Sequence, residues 1–135
     1  MFFFISNRGR RGLSSLRCDK TLRTVSQLHT YDYTDTAADT NQAFLPHCDG
    51  HGWYQPKFKN GCQGTCETTQ CLINKYGSNL FSTGEITAWH SNRITSSGAV
   101  KQWENSSGHS QIMRSQSARY IGCEMFGKYG NCLFA

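Results

Sequence analysis

Three polar side chains sit in glycine-rich or apolar company where they can do chemistry. They are His51 in Cys48-Asp-Gly-His-Gly-Trp53, Glu85 in Thr83-Gly-Glu-Ile86 and His109 in Ser106-Ser-Gly-His-Ser-Gln111. An imidazole takes or gives a proton near neutral pH, and a carboxylate orients it or accepts from it. Two histidines and a carboxylate are also a common zinc set. In that reading His51 and His109 hold the metal, and Glu85 is a ligand or the general base for a bound water. The bland alternative is a set of hydrogen-bonded structural residues, His51 packing beside Trp53. Ser110 follows His109 directly, which rarely lines a hydroxyl up with the ring, and no Gly-x-Ser-x-Gly elbow occurs. Asn105-Ser106-Ser107 is a glycosylation sequon next to His109.

The elements that must position these groups follow from periodicity and turn chemistry. Residues 34–45 read as a helix. Thr34 or Asp35 caps it, Ala37, Ala38, Phe44 and Leu45 lie along one side, and Pro46 ends it. Residues 46–84 read as a long ordered loop, and 85–89 as a strand or a helical turn. Thr95-Ser-Ser-Gly98 starts a helix whose seam is Ala99, Val100 and Trp103. A break at 105–108 lets Ser107 cap a second helix, on which His109, Ile112 and Met113 share one side. The last segment alternates. Ile121, Cys123 and Met125 fall on one face, Tyr120, Gly122, Glu124 and Phe126 on the other. A turn at 127–130 returns the chain to Cys132-Leu133-Phe134 as a terminal hairpin. The expected class is a loop-rich α+β domain.

Composition bounds the remaining possibilities. A chain of 135 residues suits one domain. Its net charge of +5 is uneven: residues 1–30 carry six bases and one acid, and residues 31–135 carry eight of each. A basic arm over 1–33, disordered or a gene-start artefact, preceding a neutral domain at 34–135 is therefore expected. Nucleic acid is not an expected partner, because that needs a basic face on the folded domain. The apolar start Met1–Ile5 is too short for a clear signal peptide, and an Arg- and Ser-rich, acid-poor start also fits a transit peptide. No apolar run reaches the roughly 18 residues of a membrane helix.

Seven cysteines, 17% charged residues and 42 Ser, Thr, Asn and Gln point to a secreted, disulfide-bonded protein. With no Cys-x-x-Cys pair, a zinc ribbon or redox dithiol is disfavoured. Cys18 in the arm is the natural odd cysteine. The other six allow three bridges in any of fifteen pairings, or several buried thiols.

The stretch from Ala99 through Trp103 and Ser107-Gly-His109 to Met113, followed by Tyr120-Ile-Gly-Cys123, resembles the signature of the CAP superfamily. That superfamily comprises the cysteine-rich secretory, antigen 5 and pathogenesis-related proteins, and its domain is also called SCP. Gly84-Glu85 resembles its Gly-Glu-Asn segment, with Ile86 in place of the Asn. Cys48-Asp-Gly-His51-Gly-Trp53 resembles a Cys-x-x-His-Ser-Trp segment of a short branch. The likeness covers residues 35–135. It implies an α-β-α sandwich with a cleft lined by His51, Glu85 and His109, in which some members bind a divalent metal such as zinc. His47 competes with His51 for the first position. The second cleft Glu of a Trp-x-x-Glu segment has no match: Glu104 directly follows Trp103, and both are grouped with the cleft. The family's first helix is not recognisable in 1–33. The resemblance further implies a non-enzymatic binding protein for a sterol, a fatty acid or a protein partner; a zinc-dependent hydrolase using the same cleft is the alternative.

Overall fold

The computed structural model describes residues 8–9, 11–40 and 69–135. Among them, four strands form one sheet, with two helices on each side. In chain order the elements are β1 (Arg17–Cys18), α1 (Lys20–Thr40), α2 (Thr69–Lys75), β2 (Gly84–Trp89), α3 (Ser96–Glu104), α4 (Ser107–Met113), β3 (Tyr120–Phe126) and β4 (Tyr129–Phe134). The strand order is β1-β3-β4-β2.

The expected hairpin organises the sheet. Gly127 takes φ +57°, a left-handed conformation that glycine adopts without a Cβ penalty, and with Lys128 it closes a two-residue turn. Cys123 and Cys132 face each other across β3 and β4 and form a disulfide. Cys71 on α2 is also disulfide-bonded, while Cys18 is exposed on β1. Cys48, Cys62 and Cys66 lie outside the described residues.

β2 is a strand, antiparallel to β4, and every residue of β4 is buried. A strand covered on both faces alternates between two cores. Cys132 and Phe134 join Ile86, Ala88, Ala99, Val100, Trp103 and Ile121 on the α3–α4 side. Leu133 joins Leu22, Val25, Leu72 and Ile73 on the α1–α2 side.

Helices α3 and α4 follow the sequence reading closely. Thr95 caps α3 by accepting the Gly98 N–H. Ser106, not Ser107, caps α4, accepting the His109 N–H. The one-residue difference follows from Ser106 keeping extended backbone (φ −107°, ψ 121°), as an N-cap requires.

The first part of the chain departs from expectation. The helix expected from residue 34 begins at Lys20, so the expected boundary at 33/34 falls inside α1. Asp19 caps α1 by accepting the Leu22 N–H at 2.8 Å. Its buried residues are Leu22, Val25, Ser26, His29, Thr30 and Asp32, at helical spacing, but more than half polar. That polarity hides the amphipathic pattern from a hydrophobicity reading.

Arg8, expected in a solvated arm, is 1% exposed. Its guanidinium donates to the carbonyls of Ser14, Met113, Ser115 and Ala118 at 2.8–3.4 Å. A buried cation is tolerated when its donors are met, and three of these acceptors, Met113, Ser115 and Ala118, tie the N-terminal segment to the end of α4 and the link that follows it.

α1 crosses β3 at Gly122, whose carbonyl accepts from the buried Ser26 hydroxyl at 2.8 Å. A Cβ on residue 122 would overlap the backbone of Leu22 and Arg23. Both neighbours are main chain, so neither can turn aside. Gly122→Ala is therefore expected to destabilise the protein by about 3 kcal/mol, at the upper end of overpacking costs. Urea unfolding followed by far-ultraviolet circular dichroism reads this as a lower midpoint with an unchanged slope.

Candidate functional site

The polar groups of the sheet converge under α1. Register places Glu85 and Thr87 of β2 opposite Leu133 and Asn131 of β4. Asn131 is fully buried, and its amide donates to Glu85 Oε1 and to Thr87 Oγ1, both at 3.0 Å. The other Glu85 oxygen, Oε2, accepts from Thr69 Oγ1 at the start of α2 at 3.1 Å. Three elements, β2, β4 and α2, therefore meet on one carboxylate.

α1 supplies the lid. His29 is 1% exposed, with Nε2 at 3.8 Å from Glu85 Oε1 and 3.5 Å from Thr69 Oγ1. Burial pushes the imidazole down to about 3, so it is neutral at physiological pH. The approach to Glu85 is thus a contact between a carboxylate and a neutral ring, not an ion pair. One turn further on, Tyr33 stacks on Tyr129 with centroids 5.3 Å apart. Its phenol is pushed well above the usual range by burial first and by the Glu85 charge second, with a hydrogen bond to Thr87 opposing them.

Of the residues singled out from sequence, Glu85 is the hub of this cluster. His109 is half-buried in the first turn of α4, on the helix pair that packs against the other side of the sheet. The hydrogen bonds and ion pairs found among the described residues do not join it to Glu85. Trp103 is fully buried in the α3–α4 core, and Glu104 is exposed at the end of α3. His51 and its competitor His47 lie outside the described residues. Among the described residues no three His, Cys, Asp or Glu side chains are grouped to hold a metal. Each Glu85 oxygen accepts a hydrogen bond, Oε1 from Asn131 and Oε2 from Thr69.

Sequence reasoning missed His29, Thr69, Thr87 and Asn131. Two signals were present. His29 lies at i+4 from Val25 and i+7 from Leu22, which puts it on the core stripe of a helix. Asn131 lies between Tyr129 and Leu133 in a strict alternation, which puts it on a buried face.

The fold and site together define a three-layer α-β-α protein whose sheet holds a half-buried carboxylate hub beneath a helix. No protein-family model matches the chain, and no curated protein matches its sequence. Solved structures do match. An extracellular protein containing an SCP domain from Bacillus anthracis superposes with TM-score 0.72 at 18% identity, over 97% of this chain and 37% of that one. An outer surface protein from Borrelia burgdorferi gives 0.66 at 22% identity, over 98% and 86%. A cysteine-rich secretory protein from Staphylococcus aureus gives 0.66 at 12% identity, over 98% and 35%. The chain has the fold of these SCP-domain and cysteine-rich secretory proteins. The chain spans little more than a third of the Bacillus and Staphylococcus proteins and most of the Borrelia one.

The neutral, buried His29 makes stability depend on pH. Its folded value, about 3, lies below the unfolded value of 6.5, so between them the unfolded chain binds the extra proton. The stabilisation is complete above pH 6.5 and is lost as pH falls. Between pH 6 and 4 this residue should contribute a decline of about 1.4 kcal/mol per pH unit. Chemical denaturation across that range should show the decline, and His29→Gln should flatten it while lowering stability at pH 7.

Proposed function

We propose that the chain is an extracellular, non-enzymatic binding domain with a cleft at Glu85, to which His109 and His51 are assigned by the sequence resemblance alone. The observation that carries this reading is the state of Glu85. Both its oxygens are engaged by Thr69 and Asn131, and its imidazole neighbour is buried and neutral. A carboxylate held in this way fixes the distance between α2, β2 and β4. A general base needs a lone pair directed at a proton to be abstracted. The extracellular assignment is supported by the described surroundings of the matched structures and by the disulfides at Cys71 and Cys123–Cys132. The ligand class, a sterol or fatty acid, follows from the sequence resemblance, with a protein partner as the other member of that class of reading.

Native mass spectrometry of protein purified without chelator tests it. The expected result is a ligand-sized adduct that organic extraction removes, with zinc content well below one ion per chain. Stoichiometric zinc that is lost in His109→Ala would overturn it in favour of a zinc-dependent hydrolase using His51 and His109 as ligands.

A further inference from the structure

Among the described residues one edge of the sheet is uncovered along β3, and the two helical layers open around it. β1 pairs with β3 only at Tyr120 and Ile121, and Asp19 donates its N–H to the Ile121 carbonyl before the chain turns into α1. β3 continues to Phe126. Tyr120 exchanges backbone hydrogen bonds with Ala135 beyond β4, so even-numbered residues of β3 point their backbone groups to β4 and odd-numbered ones to the β1 side. Cys123 and Met125 therefore face a position that no strand occupies among the described residues. A groove of about 560 Å³ lies there, bounded by the first turn of α1 on one side and by α3 on the other.

The two walls differ chemically. On the α3 side are Val100 and the side chains of Ile121 and Met125. On the α1 side are Lys20 and Arg23, the latter 70% exposed. Two carboxylates are also present, and both are occupied by backbone: Asp19 caps α1, and Glu124 Oε1 accepts the Met125 N–H at 3.2 Å. Glu124 Oε2 also lies 3.7 Å from Arg23 Nε. Glu124 thus covers one ladder donor of an open edge and faces a guanidinium, which are two groups that a partner's carboxylate would meet there. Charged side chains at a sheet edge are a common guard against indiscriminate pairing.

We infer that this edge is a docking site for an extended segment of an acidic partner protein, added as a strand beside β3. Main-chain hydrogen bonds to the Cys123 N–H and C=O supply the pairing, and alternate side chains supply selectivity. An added strand points successive residues to opposite faces. One set meets Val100 and Met125, and the other meets Lys20 and Arg23. The partner segment is therefore one that alternates apolar and acidic residues, its acid replacing Glu124 at Arg23. The site is separate from the Glu85 cluster and does not depend on the function proposed for it.

The test uses the whole chain and two end-blocked synthetic peptides, one alternating valine with glutamate and one alternating valine with lysine. The acidic peptide should bind and slow hydrogen exchange at the Cys123 amide, and the lysine peptide should not. Arg23→Ala should weaken binding of the acidic peptide roughly tenfold, and added salt should weaken it in the wild type. Glu124→Ala, which removes the internal competitor, should strengthen it severalfold; a merely structural role for Glu124 predicts the reverse. Equal binding of the two peptides, or no change at Cys123, overturns the proposal. So does slowing of Cys123 exchange with protein concentration alone, which would make a second copy of this chain the occupant. Should Glu124→Ala fail to fold, the wild-type comparison of the two peptides still decides.

Discussion

α1 reaches the sheet only because residue 122 has no side chain. At that crossing the main chains of α1 and β3 come closer than any Cβ would permit, and the Ser26 hydroxyl bonds the Gly122 carbonyl. The helix is rigid, so fixing it at one point fixes its whole length. Leu22 and Val25 enter the apolar core beside Leu133, and one to two turns later His29 and Tyr33 are delivered over Glu85 and Tyr129. Asp19 and Asn131 act at either end of that placement, the first by capping the helix and the second by meeting the carboxylate that the helix covers. Shift α1 outward by the width of a methyl group, and the cover over the carboxylate opens.

A covered carboxylate is costly unless its oxygens find donors. Here Asn131 and Thr69 provide them from two different elements, and Asn131 also meets Thr87, so one amide ties β4 to two positions of β2. The imidazole beside them gains nothing from a proton, because burial opposes its charge more strongly than Glu85, at 3.8 Å and itself hydrogen-bonded, can reward it. The cluster therefore behaves as a partly buried polar layer at the margin of the core. Such a layer discriminates against misregistered packing: a slip of one residue along α1 would leave Glu85 facing a side chain other than His29, and a slip of β2 against β4 would leave Asn131 without its carboxylate. The sheet register and the helix register are thereby specified by the same group.

Legibility in the sequence tracked how apolar each element is. The hairpin, α3 and α4 could be read because their buried positions are Ile, Val, Ala, Trp and Met at clear period two or period 3.6, with Thr95 and Gly127 as punctuation. α1 could not, because Ser26, His29 and Asp32 hold core positions and interrupt the apolar stripe. The charge balance compounded the error. Counting six bases in thirty residues suggests a solvated arm, yet Arg8 is buried against carbonyls, and Arg17, Lys20 and Arg23 belong to β1 and α1 of the folded domain. Glu85 was found from its local company. Its partners were not, because Asn131 is brought to it from 46 residues away and His29 from 56 by strand pairing and helix packing, which no local spacing encodes.

The low identity of 12–22% to structures of the same fold has a physical explanation in these constraints. What the architecture requires is a missing Cβ where helix meets strand, alternation in β3 and β4, and volume to fill the two cores. Each is a condition on size, polarity or backbone freedom, and most can be satisfied by several residue types. Two-sided burial of β4 is met here by tyrosine, asparagine and leucine on one face and cysteine and phenylalanine on the other, a mixture that carries little sequence signature. Gly122 is the exception, since any side chain there meets main chain rather than a yielding neighbour. A fold defined in this way is recognised from coordinates long after residue identities have diverged, and its chemistry has to be read afresh from the side chains that each chain places on it.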